Sequence, residues 1–309
     1  MIIIKYRGGL GNQMFQYAFH LAMQKHYPET EVVADLSHYE MNCEHNGFEL
    51  EKVFGIQVKT LPGKELKKYS PYYVPTAIYE KLPAGLRNLI ANNLQHKYYR
   101  WKCQKGRLNY YKQQYHNTFE PRVFSLDPAK TWYVDGLWQD FRYFKDLEEE
   151  IEKQFRFRNE ERYAEGDMEL IRQIRESESV GIHVRRGDFV NSKFDICNTD
   201  YYKKAVEEIR KRANEPLTYF FFTDDSDYVN EYFKDMPDKR IISHGVANSI
   251  VDMEFLSLCH NAIISNSTFA LWAAWLSRKQ LKHVVAPKYS IINKGKNFDL
   301  IVPENWTQI

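Results

Sequence analysis

The stretch Val180-Gly181-Ile182-His183-Val184-Arg185-Arg186-Gly187-Asp188 runs from apolar residues straight into one imidazole, two guanidinium groups and a carboxylate. Alternation along a strand puts His183 and Arg185 on the same side, near its carboxyl end, where open parallel sheets take their ligands. A guanidinium fork matches phosphate oxygens two at a time, so this grouping suits a diphosphate. The plainer alternative is an ion pair of Arg185 or Arg186 with Asp188, and the sequence leaves both open.

Three more segments share this form, an apolar run followed by a polar or glycine-rich turn. After Ile2-Ile3-Ile4 comes Gly8-Gly9-Leu10-Gly11-Asn12-Gln13. Gly9 and Gly11 would let a ligand approach the backbone, and a helix beginning there turns its first N–H groups toward an anion. The two amides, Asn12 and Gln13, favour a ligand-facing loop over a turn that serves chain geometry alone. This is no dinucleotide fingerprint, since position 14 is Met14, and no Lys-Ser or Lys-Thr completes a P-loop. Tyr219-Phe220-Phe221-Phe222 leads into Thr223-Asp224-Asp225-Ser226-Asp227, where Asp225-Ser226-Asp227 spells a D-x-D that can hold a divalent metal against a diphosphate. We favour the other account, in which Thr223, Asp224 or Asp225 caps the next helix and one carboxylate accepts N–H bonds from a guanine base. Ile263-Ile264-Ser265-Asn266-Ser267-Thr268 is the last such junction. Asn266, Ser267 and Thr268 with the helix amides would form a neutral phosphate cradle, unless Ser267 or Thr268 is an ordinary N-cap.

These side chains need strand-to-helix turns to carry them, and the hydrophobic periodicity supplies such turns. Residues 2 to 6 read as a strand, and Met14, Phe15, Ala18, Leu21 and Ala22 follow at helical spacing. Val32 to Ala34 is a second strand, so the chain opens as a β-α-β unit. Residues 51 to 115, broken by Pro62, Pro71, Pro75 and Pro83, show poor periodicity. Phe144, Leu147, Ile151 and Phe155 predict a helix with an acidic outer face. Beyond it the predicted elements are strands at 179–184, 217–223, 262–265 and, last, 283–286, with helices at 200–211, 251–258 and 268–276. Such alternation gives an α/β fold with parallel sheets. At 309 residues two domains are expected, 1–160 and 161–309, divided in the charge-rich stretch 156–167, with the C-terminal tail returning to the first.

Composition narrows the classes further. Hydrophobic residues at 43% and aromatics at 15% exclude a disordered chain. No apolar run reaches about 18 residues, and the N-terminus shows no signal-peptide pattern, so a cytoplasmic protein is expected. Lacking an export route, it has no use for Arg186-Gly187-Asp188 as an adhesion signal. Cys43, Cys103, Cys197 and Cys259 lie far apart and read as reduced thiols. The net charge of +2 hides a local excess: between Lys59 and Tyr115 stand twelve basic residues and two acidic ones, interleaved with tyrosines. That composition fits a stacking nucleic-acid surface, though no reader motif accompanies it. It equally fits a lipid-diphosphate-linked ligand or an anionic membrane surface, and nucleic acid is set aside as a partner.

Three blocks carry a family likeness: Gly8-Gly9-Leu10-Gly11-Asn12-Gln13-Met14-Phe15-Gln16-Tyr17-Ala18, His183-Val184-Arg185-Arg186-Gly187-Asp188, and Ser265-Asn266-Ser267-Thr268-Phe269 with Trp272-Ala273-Ala274-Trp275-Leu276. Together they resemble the signatures of the bacterial α-1,2-fucosyltransferases, glycosyltransferase family 11. The resemblance spans residues 3 to about 276. It implies a GT-B fold, two Rossmann-like domains with parallel sheets facing a central cleft. It also implies GDP-fucose as donor, inversion at the anomeric carbon, no required metal and no cofactor, with a β-galactoside as acceptor. By the same resemblance Arg185 holds the β-phosphate with Arg186 beside it, and His183 and one of Asp224 and Asp225 contact the nucleotide. Ser267 and Thr268 form the phosphate cradle, and Asn12 points at the reacting centre. Asp188, if its carboxylate is free, is the candidate base, with His20 or Asp35 of the first domain as substitutes. Residues 51 to 140 match no motif, so the acceptor glycan is left open.

Overall fold

The computed structural model describes residues 1–41, 46–69, 82–83, 86, 109–115, 117–158, 160–277, 281–292 and 299–309. Most of the basic, tyrosine-rich segment lies outside the described residues. The chain divides into two compact units, Met1–Ile151 and Glu152–Ile309. That division falls ahead of the charged stretch 156–167.

In the first unit, β1 (Ile2–Lys5) is β-branched for three residues and buried on both faces, as a strand inside a parallel sheet must be. Gly8, at φ +80°, turns the chain out of β1 into α1 (Leu10–His26), and a Cβ there would lie 2.5 Å from Asn12 Nδ2. Helix α1 ends on Lys25 and His26, cations placed against the negative end of its dipole. Strand β2 (Val32–Asp35) follows as the periodicity predicts. Two further strands, β3 (Asn109–Lys112) and β4 (Trp132–Asp135), were not foreseen, and they complete a parallel sheet of order β2-β1-β4-β3. Where one helix was predicted around Phe144, a 3-10 segment, Phe141–Leu147, precedes the α-helix Glu148–Gln154. Phe144 itself has a non-helical backbone.

The second unit is a six-stranded parallel sheet. Its strands are β5 (Glu178–Val184), β6 (Leu217–Thr223), β7 (Lys239–Ile242), β8 (Asn261–Ile263), β9 (His283–Ala286) and β10 (Thr307–Gln308), in the order β10-β9-β8-β5-β6-β7. From β5 the chain builds outward to β6 and β7 on one side; it then crosses over and builds β8, β9 and β10 on the other. The boundary between the paired strands β5 and β8 is therefore the topological switch point, where the connections diverge. Register places Val184 opposite Thr223 and Ile182 opposite Ile263, so the turns after β5, β6 and β8 emerge side by side.

Helices α2 (Asp167–Glu176), α3 (Thr199–Arg210), α4 (Ser226–Tyr232), α5 (Ser249–Leu258) and α6 (Thr268–Leu276) connect these strands. Helices α2 and α3 each bury one stripe, whereas α6 is apolar almost all round and is buried accordingly. Trp272 of α6 packs edge-on against both Trp275 and Phe155. The C-terminal residues pair within the second unit: Ile309 N donates to Ala286 O, and β10 pairs with β9, whose open edge offers backbone partners. Among the described residues 283–286 is therefore the penultimate strand rather than the last. No helix among the described residues is long and apolar enough to cross a membrane.

Close packing beside the switch point rests on the absence of one side chain. A Cβ on Gly181, in the middle of β5, would stand 2.6 Å from Leu256 Cδ1 and 2.9 Å from Cys259 Sγ, both buried against the sheet. Gly181→Ala should therefore cost about 1–3 kcal/mol of stability. Urea unfolding followed by tryptophan fluorescence checks this: the midpoint falls with an unchanged slope, whereas an unmoved midpoint would show that α5 can slide away freely.

Candidate active site

At the switch point the carboxyl ends of β5 and β8 lie side by side. The imidazole of His183, near the end of β5, is buried, and its Nδ1 lies 2.9 Å from Ser265 Oγ just beyond β8. Burial, with the positive charge of Arg185 adding to it, pulls the His183 pKa down to about 3, so the ring is neutral at physiological pH. Ser265 Oγ also accepts from Ser267 N at 3.3 Å, and Ser267 in turn caps α6 by accepting from Phe269 N. These links fix the start of α6, including the half-buried Thr268, at the carboxyl edge of the sheet.

Arg185 and Arg186 part company at this edge. Arg186 is a frame member: its Nη1 donates to Asp195 Oδ1 at 2.8 Å, and its guanidinium lies 4.6 Å from the centre of the Tyr228 ring. Arg185 keeps about a third of its side chain exposed and stands between two carboxylates. Its Nε and Nη2 both donate to Asp188 Oδ1, at 3.0 and 2.7 Å, and its Nη1 lies 2.7 Å from Asp224 Oδ2. The other oxygen of Asp224 accepts the Arg186 backbone N–H at 2.8 Å. Asp188 therefore has one oxygen engaged by Arg185, where a base would need a free carboxylate. Asp224 is likewise engaged, through both oxygens, with the arginine loop.

The remaining sequence candidates divide cleanly. Asp225 caps α4 by accepting from Tyr228 N at 2.9 Å, which is the helix-cap account of the D-x-D string. Among the described residues no group of three or more His, Cys, Asp or Glu side chains is arranged to hold a metal ion. Asn266, expected at the phosphate cradle, acts as a staple between loops. Its amide donates to Phe194 O and Ser290 O at 3.0 and 2.9 Å, and its oxygen faces Cys197 Sγ, so three loops are tied by one buried side chain.

The turn between β1 and α1 belongs to the first unit. Gly9 is the N-cap position and Gly11 is buried in the first turn of the helix. Gln13, expected to face a ligand, is fully buried; its amide donates to Gly8 O and Gly47 O while its oxygen accepts from Glu49 N. Gln16 clamps the same turn through both backbone groups of Arg7. Two amides do have a use in a loop without a ligand. Asn12 is half-buried, and its oxygen accepts from Gln139 Nε2 at 2.7 Å. His20 and Asp35 are unsuited as bases. Burial drops the His20 pKa to about 4, and Asp35, 1% exposed, accepts from Tyr133 OH and Ser37 N.

Two clusters escaped the sequence. At the carboxyl end of the first sheet, buried Asp135 accepts from Tyr110 OH and lies 3.8 Å from both Lys5 and Arg7. In the second unit His244, two residues past β7, places Nδ1 2.6 Å from Asp252 Oδ1 and Nε2 3.1 Å from Asp167 Oδ1. No local spacing announces either.

With this geometry in view, comparison with known proteins is specific. The sequence model of Glycosyl transferase family 11 matches residues 1–309. An α-1,2-colitosyltransferase of Escherichia coli is 28% identical over all of this chain and 99% of its own length. The mouse galactoside α-(1,2)-fucosyltransferase 2 is 26% identical over 53% of this chain and 50% of its own. Among solved structures, that of NodZ α-1,6-fucosyltransferase soaked with GDP-fucose aligns with a TM-score of 0.55 at 15% identity, covering 98% of this chain and 99% of that one. The last likeness establishes the fold, in agreement with an α/β protein of GT-B type with parallel sheets.

The His244 cluster yields a pH dependence. Its hydrogen bond to Asp252, helped by Asp167 and opposed by burial, raises the His244 pKa to about 9. A histidine with a raised folded-state pKa stabilises fully below its unfolded value of about 6.5, and the contribution fades as pH climbs through the folded one. Thermal melts of wild type and His244→Gln should therefore differ most near pH 6 and converge toward pH 9. Parallel curves across that window would remove the charged bridge from the account.

Proposed function

The chain belongs to glycosyltransferase family 11, and from that premise we propose that it moves L-fucose from GDP-fucose to the 2-hydroxyl of a β-galactoside, forming an α-1,2 linkage with inversion. The observation that carries this reading is Arg185, a guanidinium about a third exposed at the switch point of the second sheet, with the N-terminus of α6 held nearby through the His183–Ser265 link. Cleavage of the bond between sugar and diphosphate builds negative charge on the terminal phosphate. A fixed guanidinium and preoriented helix amides answer that charge without reorganising, which is how a leaving group is stabilised when no metal is used. Neutral His183 adds an imidazole that binds without repelling Arg185. The acceptor hydroxyl attacks the anomeric carbon from the face opposite the diphosphate as the bond from that carbon to the diphosphate oxygen breaks, its proton passing to water and GDP departing, so a one-step displacement inverts that carbon.

Support for the linkage comes from both relatives, each named for an α-1,2 transfer. They differ in donor, and the colitosyl relative favours a second reading. Colitose is fucose without its 3-hydroxyl, so a site that bonds that hydroxyl would reject the colitosyl donor strongly, and an apolar site would not. The excess of lysine and arginine at 59–115 supports an acceptor carried on a lipid diphosphate in surface-glycan assembly.

The test is a transfer assay in excess EDTA, offering GDP-fucose or GDP-colitose to lactose and to galactose linked β-1,3 to N-acetylglucosamine or N-acetylgalactosamine. Linkage analysis should find an α-1,2-fucosyl galactoside, at a rate the chelator does not change. Preference for GDP-colitose moves the donor to the second reading. A different linkage, or activity that returns only with manganese or magnesium, rejects the proposal as stated.

A further inference from the structure

Resting on the reading that Arg185 takes the terminal phosphate of a nucleoside diphosphate, we propose that Asp188 is a built-in occupant of that phosphate position, displaced when the nucleotide arrives, while Asp224 is the fixed carboxylate that positions the guanidinium throughout.

The two carboxylates hold Arg185 in different ways. Asp188 offers a single oxygen to two donors, Nε and Nη2, on one edge of the guanidinium. That edge is the one a phosphate fits best, because two parallel N–H bonds can then go to two different oxygens. Asp188 is also the loosest partner in the loop. It sits in the short 3-10 turn Gly187–Phe189, its side chain is 58% exposed, and its link to Arg185 is a surface pair three residues away in sequence. Such pairs contribute little, so a phosphate dianion can replace it.

Asp224 is held through both oxygens. Its side chain is 24% exposed; Oδ2 takes Nη1 of Arg185, and Oδ1 takes the backbone N–H of Arg186. Its position also depends on Gly187, where a Cβ would stand 2.7 Å from Asp224 Oδ2. By gripping the Nη1 corner it leaves the Nε–Nη2 edge pointing where Asp188 now lies. In the ligand-free protein the pair thus keeps Arg185 oriented and neutralised. On binding, one acid leaves and the other stays.

The two acids give opposite expectations for the same loss of one charge. Asp188→Asn should tighten GDP, by roughly twofold to tenfold in Kd measured calorimetrically, since a competitor of surface-pair strength is gone. Asp224→Asn keeps an oxygen for the Arg186 N–H but frees the Nη1 corner. It should weaken GDP binding and lower kcat by about tenfold or more at saturating donor, with an unchanged melting temperature. Asp188→Glu, which restores the carboxylate, should return the affinity to the wild-type value. An Asp188→Asn protein with unaltered GDP affinity overturns the exchange, and if its turnover is also abolished the carboxylate is acting as a base instead. Equal tightening by both substitutions overturns the division of roles, leaving only a general charge effect. A wild-type chain that takes up no GDP overturns the donor reading itself, an outcome distinct from GDP binding with the wrong pattern.

Discussion

A positively charged side chain at the end of a buried strand must have its charge answered, and Arg185 is answered on two edges of its guanidinium by Asp188 and Asp224. Much of the second unit serves that arrangement. Strand β5 runs through the middle of the sheet, so its last residues arrive at the point where the connections diverge. Gly181 lets α5 close against the strand, and Gly187 leaves room for the Asp224 carboxylate. Asp195 and Tyr228 hold Arg186 aside, so the two arginines have separate partners. Neutral His183 then links β5 to the start of α6 without placing a second cation beside the first.

The first unit shows the same economy in another form. Its glycine turn is shaped from inside by buried amides, Gln13 and Gln16, which fasten backbone groups of the turn and of the Gly47–Glu49 loop. Buried polar groups of this kind must be satisfied, and here the satisfaction sets the path of the loop. Asn12, held by Gln139, is presented at the edge of that turn. The carboxylates at the strand ends, Asp35 and Asp135, are tied to tyrosine hydroxyls, which stiffens the sheet edge rather than leaving a free base.

What the sequence made legible was whatever is local. The turns after β1, β5, β6 and β8 each follow a run of β-branched or aromatic residues and each begins with small or polar ones, so their positions were readable. Strands β3 and β7 hold only two apolar or aromatic residues each, beside Asn109 and Lys112 or Lys239 and Arg240, too few to separate them from loop. Partnerships were less readable still. His244 meets an acid 77 residues away, and no spacing rule spans that distance. The pairing of Asp188 with Arg185 was visible as the plainer alternative, and a 3-10 turn at Gly187–Phe189, which brings residues three apart together, is what forms it. Gln13 misled for a simple reason: a polar side chain beside a glycine turn serves a ligand or the turn itself, and only burial tells which.

The central claim is that Arg185 meets the terminal phosphate of a nucleoside diphosphate, and its most direct measurement is the GDP-to-GMP affinity ratio in wild type and in Arg185→Ala. Titration calorimetry gives all four values. If the guanidinium bonds the β-phosphate, wild type should prefer GDP by about tenfold or more, as a charge-assisted bidentate contact requires, and the substitution should collapse that preference while hardly changing GMP binding. A ratio that survives the loss of Arg185 would place the β-phosphate elsewhere and contradict the account.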